Sequence, residues 1–537
     1  MRSLKTRLRP RWWSVRSPGL GWGRDGRGQS RRAGQAGARL KAKLTIFPTR
    51  PAQLESVLFT LYYPTSTPSS HFPWLGWHSV HPRWLSATVA QSALGYAAFA
   101  QKNPWIIALA TRLVGGRLRL SAWLGGELAP SQAGPTATAE FPLVVFSHGL
   151  AGTRTTYSQY CGELASRGLI VAAVEHRDGS TPATVIGGTN GRVLPYTHPD
   201  SVCSPKGAPA LDPLAFRAQQ LLLRLKEVEA VLAVLAKVNA GGGAEVEAAN
   251  VREGAHGKGA KPLDLAGWQG RVGMGEQLTM AGHSFGGATT LEVLRAGPKQ
   301  FAFTRGIALD PWVEPVSQAV PPEPVVRLGG GTLNHLWPWL QIPAPTTKAA
   351  AGSSAASRTG GQDDAPTDIN VPLLVINSEQ FTIWSTHFAT VRKTVKSITA
   401  APAWLLTCTP PPSRDFACHG AVCHSSTVLI SPSPNAPPRP PPGISTKHMA
   451  FSDFLLLSWL FAKLSPSEAD PKQALHAIAD ASLDFLARTG PGGRGGERGE
   501  GALGRGVDGD GGVSKGELER HKMEGKAGSW RVSERPE

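Results

Sequence analysis

The stretch GEQLTMAGHSFGGATTLEVLRA, residues 275–296, decides the fold of this chain. A strand-like apolar segment leads into GHSFG at 282–286, which has the G-x-S-x-G spacing of a nucleophile elbow, and a helix-like segment follows. Small residues are needed on both sides of Ser284, because a Cβ at either glycine would crowd the neighbouring chain. An isolated copy of this short pattern also fits an ordinary Gly-rich turn. The strand-to-helix context instead predicts that Ser284 is a nucleophile at the C-terminal edge of a sheet.

Strands and helices alternate on both sides of the elbow. FPLVVFSHG at 141–149 and GLIVAAVEHRD at 168–178 are continuous apolar runs, as expected of parallel strands buried on both faces. A long helix is predicted over 212–238, opened by Asp212 and Pro213. Further strands are predicted at 56–65, 305–312, 371–379 and 401–407, and further helices within 74–118 and 157–167. The alternation predicts an α/β protein with a mostly parallel central sheet flanked by helices.

Low-complexity segments divide the chain of 537 residues. We interpret residues 51–488 as one catalytic domain that carries two long insertions, 316–368 and 408–442, and a flexible loop at 240–262. Residues 1–50 are interpreted as a basic extension, and the Gly-rich residues 489–537 as a disordered tail.

The positive charge is concentrated at the N-terminus. Residues 1–50 contain 14 Lys or Arg and one acidic residue, Asp25, and so carry most of the net charge of +17. Without a zinc-finger spacing or an RNA-binding aromatic motif, we expect no nucleic-acid partner. The Arg-rich start has the composition of an organelle transit peptide, and a disordered extension or an upstream stretch included in the translation are the alternatives. We find no secretory signal and no spanning apolar run, which favours an intracellular location, in an organelle if the Arg-rich start is a transit peptide; an exported form would need another start site.

The remaining members of a catalytic triad should follow Ser284 in the order acid, then histidine. Asp310 ends the predicted strand RGIALD, where its carboxylate can lie beside the elbow; its alternative role is a turn residue before Pro311. His448 in STKHMAFSDF is the candidate base, late in the chain and before an apolar segment. Three other histidines lie downstream and remain alternatives: His387, His419 and His424.

An acyl-transfer site also needs two donors for the developing oxyanion. The amide of Phe285, directly after the nucleophile, is the first. SHGLAGT at 147–153 has the required strand-to-loop character, which makes the Leu150 amide the second candidate, unless HGL is only a tight turn. CHGAVCH at 418–424 fits no common zinc spacing, and a serine esterase needs no cofactor, so we expect neither a metal nor an organic cofactor. The five cysteines are too few and too unevenly spaced for a disulfide framework.

These blocks, in their order, resemble the platelet-activating factor acetylhydrolase (group VII phospholipase A2) family. The matching blocks are LYYPT, FPLVVFSHGLAGTRTTYS, LIVAAVEHRDGS, GHSFGGAT, GIALDPW, PLLVINSEQF and KHMAFSDF. The resemblance covers about residues 54–465 and implies the α/β-hydrolase fold. Carried over position by position, it places the nucleophile on Ser284, the acid on Asp310, the base on His448, and the oxyanion amides on Leu150 and Phe285.

The resemblance further implies calcium-independent hydrolysis of the short or oxidised sn-2 acyl group of a phospholipid. The two termini and residues 408–442 depart from the family pattern, and the latter are either a surface loop or an unspliced insertion. A broader carboxylesterase or lipase, and a lipid-surface binding protein with an inactive triad, are the alternative functions. We also expect peripheral lipid contact through four tryptophans, with core packing of the same side chains as the alternative: Trp74, Trp77, Trp84 and Trp105. Oligomeric state is not indicated.

Overall fold

The computed structural model describes sixteen parts of the chain. They are residues 7–16, 54, 56–65, 81–122, 125–130, 140–187, 191–201, 212–251, 264–317, 327–328, 331–332, 369–409, 417–423, 446–454, 470–490 and 529–532. Trp74 and Trp77, His424 and the apolar segment after Phe454 lie outside the described residues.

The described part of the chain contains fourteen strands, ten of which form a central sheet. The strands, in chain order, are β1 (Arg7–Arg16), β2 (Ser56–Thr65), β3 (Phe141–Ser147), β4 (Ile170–Val174), β5 (Ala183–Ile186), β6 (Arg192–Pro195), β7 (Val272–His283), β8 (Arg305–Leu309), β9 (Arg327–Leu328), β10 (Gly331–Thr332), β11 (Leu373–Ser378), β12 (Ala403–Thr409), β13 (Ala417–Cys423) and β14 (Ser529–Val532). The sheet order is β1-β2-β4-β3-β7-β8-β11-β12-β13-β14, while β5 with β6 and β9 with β10 form separate two-stranded ladders. The six strands from β4 to β12 are parallel. The pairs β1 with β2, β2 with β4 and β12 with β13 are antiparallel, and β13 pairs parallel with β14.

The central strands are apolar on both faces because helices cover both faces. In β3, Leu143 and Val145 enter one core cluster, while Val144 and Phe146 enter the other. This division follows from the pleat, which sends successive side chains to opposite faces. The mostly parallel sheet flanked by helices confirms the predicted α/β-hydrolase fold class.

Ten α-helices connect and flank these strands. They span Val89–Ala100, Pro104–Leu113, Ser158–Ser166, Pro213–Lys237, Gly243–Ala248, Phe285–Ala296, Glu314–Ser317, Glu379–Ile383, Ser385–Ser397 and Pro471–Thr489 within the described residues. The long helix begins where the sequence predicts, because Asp212 accepts a hydrogen bond from the Ala215 amide and Pro213 occupies the first turn. None of the helices in the described part of the chain is both long enough and apolar enough to cross a membrane.

Several segments that the sequence predicts to be unstructured form a helix or a strand instead. Gly243–Ala248, inside the predicted flexible loop 240–262, is helical, and Val246 packs into the core. Ala417–Cys423, inside the predicted insertion 408–442, pairs antiparallel with β12. Arg7–Arg16 and Ser529–Val532 form strands at the two ends of the sheet. Each segment contains apolar or β-branched residues inside a stretch whose average composition predicts no regular structure.

Candidate active site

The elbow at Ser284 is a strained turn between β7 and the helix Phe285–Ala296. Ser284 has φ 57° and ψ −116°, a region that non-glycine residues rarely adopt. Its amide donates a 2.9 Å hydrogen bond to the Leu309 carbonyl, which fixes the turn against β8. A Cβ at Gly282 would lie 2.1 Å from the Gly286 carbonyl oxygen, and one at Gly286 would lie 2.0 Å from the Ser147 carbonyl oxygen. Both glycines are therefore needed for the turn, which leaves Ser284 partly exposed.

Asp310 and His448 meet next to this turn. Asp310 follows the last residue of β8, is fully buried, and has a positive φ of 42°. Its Oδ2 accepts a 2.9 Å hydrogen bond from Nδ1 of His448, whose side chain is 23% exposed. With Nδ1 as the donor, a neutral imidazole keeps an unprotonated Nε2. The two residues, 138 positions apart in sequence, thus have the geometry of an imidazole base and the carboxylate that orients it.

Ser378, at the end of β11, holds the carboxylate of Asp310. Its amide donates to Oδ1 at 2.6 Å, and its hydroxyl donates to Oδ2 at 2.5 Å. Asp310 therefore accepts three hydrogen bonds and cannot rotate without losing them. Sequence reasoning did not identify Ser378, although the block NSEQF places it at a strand end, where polar residues of parallel sheets converge.

The residues after Ser378 position the imidazole of His448. Gln380 Oε1 accepts from the His448 amide at 2.9 Å, and the Glu379 amide donates to the Thr446 hydroxyl at 2.8 Å. The Phe381 ring stacks on the His448 ring, with centroids 4.2 Å apart and planes within 7° of parallel. The NSEQF block thus contacts both the acid and the base.

Asp453 anchors the other end of the histidine segment. Its carboxylate accepts hydrogen bonds from the Ser158 and Gln159 amides at the start of the helix Ser158–Ser166, and from the indole of Trp84 at 3.1 Å. Burial raises the pKa of Asp453 to about 6, against the opposing effect of these donors. Trp84 is only 4% exposed, so the prediction that it contacts lipid is wrong and it belongs to the core.

A chain of hydrogen bonds runs from the HGL loop to the base. The Gly149 amide donates to the Tyr157 hydroxyl at 3.1 Å, and that hydroxyl lies 2.8 Å from His283 Nδ1. His283 Nε2 lies 3.1 Å from the His448 carbonyl, which can only accept, so Nε2 carries the proton and Nδ1 accepts from Tyr157. Burial lowers the pKa of His283 well below its usual value, consistent with a neutral ring.

The two predicted oxyanion donors flank the nucleophile. Phe285 is the first residue of the helix after Ser284 and is fully buried. Leu150 follows β3 in a turn whose next residue, Ala151, has φ 56°. A Cβ at Gly149 would lie 3.0 Å from the Ser284 Cβ, so the loop packs directly against the elbow. The structure therefore brings all five predicted site residues to the carboxyl ends of neighbouring parallel strands.

The other downstream histidines are placed differently. His387 is buried, and its Nδ1 lies 2.8 Å from Glu314, one aromatic ring beyond His448. His419 is on β13, between β12 and β14 in the sheet. His387 with Glu314 is thus a second imidazole–carboxylate pair, but its ring is much less exposed than that of His448.

One group of side chains has the composition of a metal site. Ligand atoms of His283, Asp310 and His448 lie within 4.8 Å of one another. Asp310 Oδ2 and His448 Nδ1 already bond to each other, and His283 bonds to a carbonyl and a hydroxyl. These hydrogen bonds account for the grouping without an ion.

The family model and two of the most similar curated proteins that match this chain point to the same family. The family model described as platelet-activating factor acetylhydrolase, isoform II, matches residues 48–325, more than half of the chain. Dog (Canis lupus familiaris) platelet-activating factor acetylhydrolase is 31% identical over 235 residues, 41% of this chain and 44% of the relative. The chicken (Gallus gallus) protein of the same name is 33% identical over 213 residues, 38% and 47% of the two chains. The chain thus spans less than half the length of these relatives.

A solved structure, ferulic acid esterase from Streptomyces cinnamoneus, aligns over 90% of this chain and 91% of its own, with a TM-score of 0.44 and 15% identity. The family model supplies the assignment, and it covers β2 to β8 together with the elbow and Asp310. The chain belongs to the platelet-activating factor acetylhydrolase, isoform II, family.

Proposed function

We propose that the protein is a serine esterase with Ser284 as nucleophile, His448 as base and Asp310 as the orienting acid. The observation that carries the proposal is the 2.9 Å bond between Asp310 and His448 next to the strained, partly exposed Ser284. In this mechanism, His448 Nε2 takes the proton of the Ser284 hydroxyl while Oγ attacks the ester carbonyl. The same proton then passes to the leaving alcohol, and water hydrolyses the acyl-serine in a second, equivalent step.

The oxyanion formed in each step is stabilised in this proposal by the amides of Leu150 and Phe285. Packing of the Gly149 loop against Ser284, and the place of Phe285 at a helix N-terminus, support the assignment. Fixed backbone donors need no reorganisation during the reaction, and each contributes about 10²–10³-fold to kcat. Since these donors can stabilise the charge, the mechanism has no step that requires a cation.

We propose a phospholipid with a short or oxidised sn-2 acyl group as substrate, on the basis of family membership. With EDTA present, the purified protein should hydrolyse 1-alkyl-2-acetylglycerophosphocholine much faster than its long-chain sn-2 analogue, measured as acid released. Ser284→Ala is the control in each assay. Equal rates on the two lipids would still support a serine esterase but would contradict the preference for a short sn-2 chain. They would favour a broader carboxylesterase. Activity lost in EDTA and restored by calcium would contradict the mechanism.

A surface for peripheral contact with lipid is proposed on the helix Pro104–Leu113. None of its residues is buried, and Trp105 and Ile106 are 84% and 67% exposed. Leu109 and Leu113 follow Trp105 at spacings of four, so these side chains lie on one face. An exposed apolar helix face of this kind is suited to the membrane interface.

Replacement of Trp105 and Ile106 together by serine should weaken vesicle binding. Each large apolar side chain contributes roughly 1.5–3 kcal/mol when fully buried, so even partial insertion predicts a loss of about tenfold in partitioning. Flotation with phosphatidylcholine vesicles measures it. The double variant Val193→Ser with Leu214→Ser, which removes two exposed apolar side chains elsewhere, is the matched control. Unchanged flotation of the Trp105 and Ile106 variant would exclude this face.

A lipid-surface binding protein without catalysis is the alternative of a different class. A fluorophosphonate probe distinguishes the two, because it labels a serine only when the serine is activated by its base. Labelling that requires both Ser284 and His448 supports the esterase. An inert Ser284 in a protein that still floats with vesicles would favour the binding protein.

A further inference from the structure

The hydrogen bonds of His148 define which of its ring nitrogens carries the proton. His148, the first residue of the HGL loop, is completely buried. The His176 amide donates to its Nε2 at 3.1 Å, and its Nδ1 lies 2.8 Å from the Gly149 carbonyl oxygen. An amide can only donate and a carbonyl can only accept, so Nε2 is the acceptor and Nδ1 carries the hydrogen. His148 therefore donates to the carbonyl of the next residue.

Arg224 reinforces this state of His148. Burial and the nearby Arg224 guanidinium lower the pKa of His148 to about 4, so the ring is neutral near pH 7. Arg224 is itself buried and donates to the His148 carbonyl at 2.8 Å and to Asp178 Oδ2 at 2.8 Å. The backbone and the ring of His148 are thus held by separate bonds.

The geometry of the peptide group links His148 to the Leu150 amide. The Gly149 carbonyl and the Leu150 amide belong to one planar trans peptide, so they point in opposite directions. Bonds from His148 Nδ1 and from the Gly152 amide, at 2.8 and 3.1 Å, hold the carbonyl on one side. The Leu150 N–H is thereby fixed on the opposite side, in a loop packed against Ser284.

We propose that His148 is a positioning residue that orients the Gly149–Leu150 peptide so that the Leu150 amide can serve as an oxyanion donor. The inference rests on the proposed function, because it assigns the origin of one donor in that mechanism. His148 does not touch the substrate in this account. Its effect is expected on stabilisation of the tetrahedral state and not on substrate binding.

The pair His148→Asn and His148→Gln tests the role. The side-chain amide of asparagine reaches the position of Nδ1 and can donate to Gly149, whereas that of glutamine reaches the position of Nε2. His148→Asn should keep kcat for an acetyl ester within about fivefold, and His148→Gln should lower it about 10²-fold, near the loss of one oxyanion donor. KM should stay within about twofold in both variants, as expected for an interaction made only in the transition state.

A trifluoromethyl ketone analogue supplies a readout that a merely structural role would not change. Ser284 Oγ adds to its carbonyl carbon, the serine proton moves to His448, and the carbonyl oxygen becomes the bound anion. The inhibition constant of the ketone should rise in His148→Gln by the same factor by which kcat/KM falls. Binding of the corresponding alcohol, which cannot form the adduct, should not change.

His81→Gln is the matched control, because His81 is also buried and its Nδ1 also lies 2.8 Å from a backbone carbonyl, that of Ala122. It should lower the melting temperature and leave kcat unchanged. Ser284→Ala tests the proposed function separately. If Ser284→Ala abolishes turnover while His148→Asn and His148→Gln have equal kcat, the role of His148 is overturned. If either variant misfolds by circular dichroism, Arg224→Lys replaces the pair: it should reduce kcat and ketone affinity in proportion, and unchanged values would overturn the proposal.

Discussion

Ser284→Ala and His448→Ala are each expected to lower kcat for an acetyl ester by about 10⁵–10⁶-fold, because the members of a triad act as a unit. Without Oγ no acyl-enzyme forms, and without the imidazole the Ser284 hydroxyl keeps its proton. The double variant should be little worse than either single variant. Steady-state kinetics and fluorophosphonate labelling measure both losses, with circular dichroism to verify the fold.

His387→Ala is the matched control for the base. The variant removes another imidazole whose Nδ1 is bonded to a carboxylate, that of Glu314. The His387 ring also contacts Phe381, the ring that stacks on His448. We expect kcat to stay within a few-fold of the parent value. A loss in His387→Ala as large as predicted for His448→Ala, with His448→Ala still active, would show that the base is misassigned.

Asp310→Asn is expected to lower kcat about 10⁴-fold while the protein stays folded. The Ser378 amide must still find an acceptor, which favours placing the asparagine oxygen at the Oδ1 position. The NH₂ group then faces His448 Nδ1, which can accept from it only without a proton. The proton moves to Nε2, and the imidazole has no lone pair left for the Ser284 hydroxyl. The pH profile of kcat/KM should change together with its magnitude.

Glu314→Gln makes the same chemical change in the second imidazole–carboxylate pair. Its kcat should remain close to that of the parent. Near-parental activity in a folded Asp310→Asn variant would point to another acid, and a severe loss in Glu314→Gln alone would identify that acid as Glu314.

The sequence predicts the fold well wherever the signal is local. The run FPLVVFSHG predicts β3 because a strand covered on both faces has no polar alternation to obscure it. Asp212 and Pro213 mark the start of the long helix, and the two glycines around Ser284 mark the elbow. Each of these features is determined by residues that are close together in the sequence.

Long-range partners could not be predicted from pattern alone. Ser378 bonds Asp310 across 68 positions, and Asp453 receives the Trp84 indole across 369. A serine at a strand end and an aspartate beside a short helix can form many kinds of contact, and the arrangement of the strands decides which partners they meet. Trp84 shows the same limit, since its aromatic character fits a lipid interface or a core equally well, and burial decides between them.

The Thr446 hydroxyl, besides accepting from Glu379, donates to the carbonyl of Cys408 near the end of β12. The chain therefore comes back to the end of β12, after a connection that contains β13, before it reaches His448. When hydrogen bonds hold the two ends of a loop together, the entropic cost of closing it grows only with the logarithm of its length. Each doubling of the loop costs about 0.6 kcal/mol. Insertions and deletions in this connection should therefore be tolerated, because the contacts of Thr446 and His448 with Cys408, Glu379 and Gln380 set the position of the imidazole whatever the length of chain before them.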